Sequence, residues 1–145
     1  MIRGVSIYPR EKFCTDQGCV YKWAQPQDPF FEKFGEVYFS SIVPGVIKGW
    51  NIHTISDMNL VCISGSVRFV LYDRRSDSPT KGTIQEFTIG RDSYDLVHIP
   101  HGVAFSWKAL GSDEALIGNL ATQAYAQGEL IKIDPKSGEI PYQWQ

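Results

Sequence analysis

The sequence predicts an all-β protein folded as an antiparallel double-sheet jelly roll. Three observations carry this prediction: short runs of β-forming residues recur along the chain, helical periodicity is almost absent, and Gly, Pro, Asp or Ser separates one run from the next. The chain has 145 residues, of which 43% are hydrophobic, enough to bury one continuous core. We therefore expect a single domain over residues 1–145.

Ten runs have the strand pattern, and they leave little room for helices. The mouth of such a barrel is the usual place for a ligand site. The predicted strands cover residues 4–8, 19–23, 36–42, 46–55, 59–64, 66–73, 83–90, 94–100, 103–110 and 114–122.

Turn residues account for the connections. "SGS" at 64–66 predicts a tight hairpin, with Gly65 at the position that needs a positive φ. "DPFFEKFG" at 28–35 permits one helical turn, with Asp28 as its N-cap. The C-terminal tail should pack across the barrel, because its apolar residues need burial. These residues are Ile131, Ile133, Ile140 and Trp144.

Charge and hydropathy exclude several classes of partner. The sequence contains fourteen Lys and Arg and sixteen Asp and Glu, and these charges are scattered along the chain. Neither nucleic acid nor an anionic membrane is therefore an expected partner. No apolar run approaches ~18 residues, and the N-terminus lacks the apolar stretch of a signal peptide. We expect a cytoplasmic protein. Aromatic residues make up 13% of the chain, which suits a lined pocket, although large β-cores also use them.

The cysteines form no CxxC pair. Cys14, Cys19 and Cys62 make an odd total, and in a cytosolic chain they are expected as three reduced thiols. A bridge between Cys14 and Cys19 is the alternative.

Five segments carry a family resemblance: "VIKGWNIH", "VRFVLYDRRSDSPTKG", "LVHIPHGVAFSW", "NLATQAYAQGEL" and "IDPKSGEIPYQW". Their order and spacing resemble those of the dTDP-4-dehydrorhamnose 3,5-epimerase family, a branch of the cupins, from about Gly35 to Trp144. The resemblance implies a cupin barrel, a homodimer, no metal, no cofactor, and a nucleotide-linked 4-keto-6-deoxy sugar as substrate. In that family a His base removes a proton beside the keto group, and a Tyr acid returns one to the resulting enolate.

Several family positions are changed here. Asn51 stands at the position of the His base, and an amide cannot abstract a C–H proton near neutral pH. Phe105 replaces a second family His, and Asn59 replaces a lysine. A metal-binding cupin would need several His ligands, and with Phe105 at the later ligand position the sequence predicts no metal site.

Other positions keep the family's chemistry. Tyr125 matches the acid, Asp134 an acidic position, and "YDRR" retains Asp73 and Arg75. The alternatives are a rim aromatic for Tyr125, a turn-capping residue for Asp73 and a surface cation for Arg75.

His53 lies two residues beyond Asn51, on the same face of the predicted strand and about 7 Å along it. It is either a replacement base or a residue that hydrogen-bonds the substrate. His98 and His101 flank a turn, and no function is expected for them.

The candidate site therefore has two groups of residues. Asn51, His53, Asp73 and Tyr125 are expected to converge on one pocket lined by aromatic side chains. The candidate catalytic residues are Tyr125, His53 and Asp134. The candidate substrate-binding residues are Lys48, Asn51, Asn59, Asp73 and Arg75.

The resulting functional hypothesis is an epimerase or isomerase of nucleotide-linked keto sugars with an altered base, for which inversion at one carbon is easier to support than inversion at two. The alternatives are a non-catalytic cupin that binds a sugar nucleotide or glycan, and a structural interaction module.

Overall fold

The computed structural model describes all 145 residues and contains twelve β-strands and no helix. None of the chain therefore forms a helix long and apolar enough to cross a membrane. The strands are β1 (Ser6–Pro9), β2 (Lys12–Thr15), β3 (Gly18–Tyr21), β4 (Glu36–Ile42), β5 (Ile47–His53), β6 (Met58–Ser64), β7 (Ser66–Asp73), β8 (Ile84–Gly90), β9 (Asp95–Ile99), β10 (Val103–Leu110), β11 (Ala115–Ala121) and β12 (Leu130–Lys132).

Two five-stranded antiparallel sheets form the barrel. The first sheet has the order β1-β9-β6-β11-β4, and the second has the order β12-β5-β10-β7-β8. Strands β2 and β3 form a separate hairpin. Many strands that are neighbours in these sheets are distant from each other in the sequence, as is typical of a jelly roll. The predicted fold class is therefore confirmed. Gly65 joins β6 to β7 with φ of 70°, as the hairpin prediction requires.

The core lies between the two sheets. Because successive side chains of a strand point to opposite faces, every second residue contributes to it. Leu60 and Val97 of the first sheet pack with Phe69 and Trp107 of the second in a cluster of 19 buried residues. The Phe69 and Trp107 rings stack with centroids 5.8 Å apart.

The C-terminal tail covers the outer face of the second sheet. Ile133 and Ile140 are buried there against Trp50 and neighbouring apolar residues, and Trp144 is partly buried beside them. Ile131 differs from the expectation, because it lies on the short edge strand β12 and remains 43% exposed.

All ten predicted strands are present, and β2 and β12 are additional. Both are short, and neither contains a fully buried residue, so hydrophobic pattern alone does not mark them. The helical turn expected at Asp28 is wrong. The carboxylate of Asp28 instead accepts hydrogen bonds from the backbone N–H of Gln25 and from the guanidinium of Arg10, so it does not cap a helix.

The expectation of three reduced thiols is also wrong. Cys14 and Cys19 form a disulfide, because the β2–β3 register sets these two residues directly opposite each other. Cys62 is free and buried in the core, and burial raises the pKa of its thiol to about 11.

Candidate active site

A cavity of about 300 Å³ lies between the two sheets at one end of the barrel. Alternate residues of seven strands and two loops form its wall, as expected from the two-residue period of a strand. Apolar side chains form much of the lining: Met58, Leu60, Phe69, Phe105, Trp107 and Ile117. Polar side chains complete it: Glu36, Tyr38, Ser40, Asn51, His53, Ser56, Asn119, Gln123, Tyr125 and Glu129.

His53 and Glu129 form the central ionisable pair of this cavity. The Nδ1 atom of His53 lies 2.9 Å from Oε2 and 3.1 Å from Oε1 of Glu129. A carboxylate only accepts hydrogen bonds, so Nδ1 carries the hydrogen and Nε2 of a neutral His53 is left as a proton acceptor. The arrangement has the geometry of a base oriented by a carboxylate.

The surroundings hold this pair in place. Glu129 is 4% exposed, and its carboxylate also accepts the backbone N–H of Ser56 at 3.3 Å. Thr54 donates both its backbone N–H and its hydroxyl to the Glu129 carbonyl, each at 3.0 Å. The His53 ring stacks on Phe105 with the ring planes only 11° apart. These contacts fix the orientation of the imidazole.

Asn51 and Tyr125 also line the cavity. Asn51 lies on β5 on the same wall as His53, opposite Phe105 of β10. Tyr125 lies at the rim and is 64% exposed, and its backbone N–H donates to a carboxylate oxygen of Glu36 at 3.1 Å. The structure thus brings together Asn51, His53 and Tyr125 of the four residues that were expected to converge.

Asp73 is the fourth residue, and its expected convergence is wrong. It is fully buried away from the cavity, where its carboxylate accepts hydrogen bonds from Arg75, Ser78 and Thr80. Burial alone would raise the pKa of Asp73, but these hydrogen bonds outweigh burial and hold the pKa well below its usual range. The Nη2 atom of Arg75 also donates to the Arg3 carbonyl at 2.7 Å, so Arg75 is likewise outside the cavity.

Asn59 and Asp134 are also absent from the cavity wall. Asn59 is buried and points away, because its neighbour Leu60 faces inward. Its side chain donates to the Leu120 carbonyl at 3.0 Å and contacts Nδ1 of His98 at 2.8 Å. Asp134 lies in an exposed loop and accepts the backbone N–H of Lys136 at 2.9 Å. The expectation that Asp134 belongs to the catalytic group does not fit this position.

Lys48 does not line the cavity, and it reaches from β5 to β4 of the opposite sheet beside two residues that do. Its Nζ donates to the Ser40 hydroxyl at 3.0 Å and to the Ser41 carbonyl, and it lies 5.2 Å from the centroid of the Trp107 ring. A register shift between β5 and β10 pairs Asn51 with Phe105 but Lys48 with Trp107. The extra residue on β5 changes the face to which Lys48 points.

Seven of the ten polar residues that line the cavity were not found from sequence, and Glu129, Tyr38 and Asn119 are among them. Glu129 stands four positions after Tyr125, and no local pattern marks it as the partner of His53. Tyr38 and Asn119 line the cavity from the first sheet. The alternation of Glu36, Tyr38 and Ser40 along β4 is the signal that would have indicated Tyr38.

The two-sheet jelly roll with a cavity between its sheets defines the protein as a cupin-type scaffold. The family model for dTDP-4-dehydrorhamnose 3,5-epimerase matches residues 2–145. The chain therefore belongs to the dTDP-4-dehydrorhamnose 3,5-epimerase family, and the resemblance found in its motifs is confirmed.

Individual relatives agree with this assignment. The chain is 34% identical to the spore coat polysaccharide biosynthesis protein SpsL of Bacillus subtilis over 125 residues, which are 86% of this chain and 83% of SpsL. It is 33% identical to the probable low-salt glycan biosynthesis epimerase Agl13 of Haloferax volcanii over 106 residues, which are 72% of this chain and 65% of Agl13.

A solved structure extends the comparison to the whole fold. The crystal structure of a dTDP sugar isomerase from Desulfovibrio desulfuricans G20 superposes with a TM-score of 0.96 and 31% sequence identity, covering 99% of this chain and 92% of that one. The expectation of a sugar-nucleotide epimerase, in the isomerase class, is confirmed at the level of the family.

Proposed function

We propose that residues 1–145 act as one cupin-type domain that epimerises a nucleotide-linked 4-keto-6-deoxy sugar at a carbon next to its keto group. The observation that carries the proposal is the 2.9 Å contact between His53 and Glu129 inside the cavity. It supplies the oriented base that Asn51, at the family's base position, cannot be.

In the proposed reaction, Nε2 of His53 takes the proton from the carbon beside the keto group. The electron pair of the broken C–H bond moves into the ring, and the keto oxygen becomes an enolate oxygen. Tyr125 then returns a proton to the same carbon from the opposite face, and the carbonyl re-forms with inverted configuration. Solvent restores the proton of Tyr125 and removes the one from His53, so the net reaction is an isomerisation. Asn51 hydrogen-bonds the sugar and orients it.

The dimensions and charge of the cavity support a substrate that is only partly enclosed. About 300 Å³ is at the lower end of the range for small-molecule sites, enough for a hexose ring. The lining contains no Lys or Arg, so a diphosphate has no cationic partner inside. The apolar lining suits the methyl group of a 6-deoxy sugar. The nucleotide accordingly extends across the rim near Tyr125.

We propose in addition that the protein is a homodimer formed through β4. This strand is at the edge of the first sheet, and Val37, Phe39 and Val43 on or beside it are exposed. Replacing Phe39→Glu should convert the dimer to a monomer in sedimentation analysis. Phe13→Glu, on the exposed β2–β3 hairpin, is the matched control and should leave the dimer intact. A monomeric wild-type protein would contradict this proposal.

The reaction itself is tested by solvent exchange. A dTDP-linked 4-keto-6-deoxyhexose is incubated with the protein in deuterium oxide, and the sugar carbons are followed by NMR. Deuterium should enter a carbon next to the keto group, and His53→Asn should slow this uptake by about 10²- to 10⁴-fold. Asp134→Asn is the control, since it removes a carboxylate that lies outside the cavity, and it should leave uptake unchanged.

The second candidate function is a binding protein without chemistry. The amide of Asn51 at the family's base position is the observation that favours it. Such a protein would bind the sugar nucleotide, as measured by calorimetry, and would incorporate no deuterium into it.

A further inference from the structure

Tyr38 is a cavity residue to which the reaction above assigns no part. It lies on β4 of the first sheet, whereas His53 lies on β5 of the second sheet, and both line the cavity. Removal of a proton beside a ketone creates negative charge on the keto oxygen, and hydrogen-bond donors placed around that oxygen stabilise it. Asn59 cannot serve, because its buried side chain is bonded to Leu120 and His98.

The hydrogen bonds of Asn119 determine where the hydroxyl hydrogen of Tyr38 points. The backbone N–H of Asn59 donates to Asn119 at 3.1 Å, so the accepting atom must be the amide oxygen, Oδ1. The other branch of this amide is therefore the NH₂ group, which lies 2.9 Å from the Tyr38 hydroxyl. Since NH₂ only donates, the oxygen of Tyr38 accepts this bond and its own hydrogen points elsewhere.

No strong acceptor within the protein takes that hydrogen. The Met58 sulfur lies 3.9 Å from the hydroxyl oxygen, and a thioether is a weak acceptor. Tyr38 is protonated at neutral pH, because the ordinary pKa of a tyrosine hydroxyl is about 10 and partial burial raises the pKa of this one further. The result is a polarised O–H group on the cavity wall whose oxygen is already held by Asn119.

We infer that Tyr38 is a further catalytic residue, whose hydroxyl donates a hydrogen bond to the keto oxygen of the substrate and stabilises the enolate. Tyr38 keeps its proton throughout, while His53 and Tyr125 remain the groups that exchange protons with carbon. The inference rests on the proposed function, since it concerns the enolate of that reaction.

The test compares Tyr38→Phe with wild type in deuterium oxide, using the dTDP-linked 4-keto-6-deoxyhexose. Loss of one donor to a developing oxyanion should slow deuterium uptake by about 10²- to 10³-fold. Binding of the corresponding 4-deoxy sugar nucleotide, which has no oxygen at that carbon to accept from Tyr38, should be unchanged. Tyr72→Phe is the matched control, because Tyr72 packs on the outer face of the second sheet and should have no effect on uptake.

A second variant leaves Tyr38 in place. In Asn119→Asp the carboxylate has no hydrogen to donate to Tyr38, so it accepts the Tyr38 hydrogen and draws it away from the cavity. Uptake should fall as in Tyr38→Phe, and the double variant should be no slower than either single one. If wild type takes up deuterium and Tyr38→Phe does so equally fast, the inference is overturned while the proposed function stands. If wild type takes up none, the proposed function fails and this inference fails with it.

Discussion

The Nδ1 atom of His53 lies 2.9 Å from a carboxylate oxygen of Glu129, although 76 residues separate the two in the chain. The contact exists because β12 pairs with β5 and sets Leu130 opposite His53, which brings the preceding residue to the imidazole. Lys132 is opposite Asn51 in the same pairing. The oriented histidine is thus two residues beyond the family's base position.

Removing the charge of Glu129 should lower the rate without weakening binding. In Glu129→Gln the side-chain amide can still accept from Nδ1–H of His53, but it no longer stabilises the imidazolium that forms when His53 takes a proton. We expect kcat for deuterium exchange to fall by about 10²-fold with little change in KM. If KM instead rises by about 10²-fold while kcat stays constant, Glu129 acts in substrate binding.

Moving the histidine to position 51 should not transfer the activity. Asn51→His alone adds a second imidazole to the cavity and should add or broaden exchange at the sugar carbons. In the double variant Asn51→His/His53→Asn, the imidazole lies about 7 Å along the strand from the old position, beyond hydrogen-bond reach of Glu129. We expect its deuterium uptake to remain far below that of wild type. Full recovery would show that the Glu129 contact is dispensable.

Tyr125→Phe keeps the ring at the rim and removes only the hydroxyl. If Tyr125 returns the proton to carbon, formation of the inverted sugar should slow by about 10²-fold or more. Proton removal by His53 precedes this step, so deuterium uptake at the same carbon should fall less than epimer formation. The two rates are measured on the same sample by NMR. If variant and wild type turn over at the same rate, Tyr125 is only an aromatic residue at the rim and not the acid.

Asp73 is expected to govern acid stability and not catalysis. Its pKa in the folded protein is below the unfolded value of about 3.9, so its stabilising contribution is complete above that pH and is lost as the pH falls below it. Asp73→Asn should cost about 3 kcal/mol in the free energy of unfolding at pH 7, because it leaves Arg75 without its buried partner. Between pH 7 and pH 2 the variant should also lose less stability than wild type, because it has no carboxylate at position 73 to be protonated.

Denaturant titrations between pH 7 and pH 2 measure this effect. The rate of deuterium uptake per folded molecule should be the same in Asp73→Asn and wild type, because Asp73 is not part of the cavity wall. A lower rate of deuterium uptake in a fully folded variant would show that Asp73 does take part in substrate binding.

The sequence by itself determined the strands and much of the cavity wall. Strand formation and the two-residue alternation of side chains are local properties, so the runs at 46–55 and 103–110 sufficed to predict strands and to place Asn51 and His53 on one face. The sequence also placed Asn59 in the substrate-binding group, and the structure corrects this, since Leu60 next to it faces inward. The motifs added the family and the position of Tyr125, because both depend only on residue order.

The tertiary structure alone decided which distant groups meet. The pairing of β12 with β5 places Glu129, and not Asp134, beside His53. The pairing of β2 with β3 places Cys14 opposite Cys19. Asp73 is four residues after Phe69 on the same strand, so alternation alone would place both side chains on one face, but the carboxylate of Asp73 is bonded outside the cavity wall to Arg75, Ser78 and Thr80. Such pairings depend on how the sheets close and on where a register shifts. A local sequence pattern contains neither, because both arise from contacts between segments far apart in the chain.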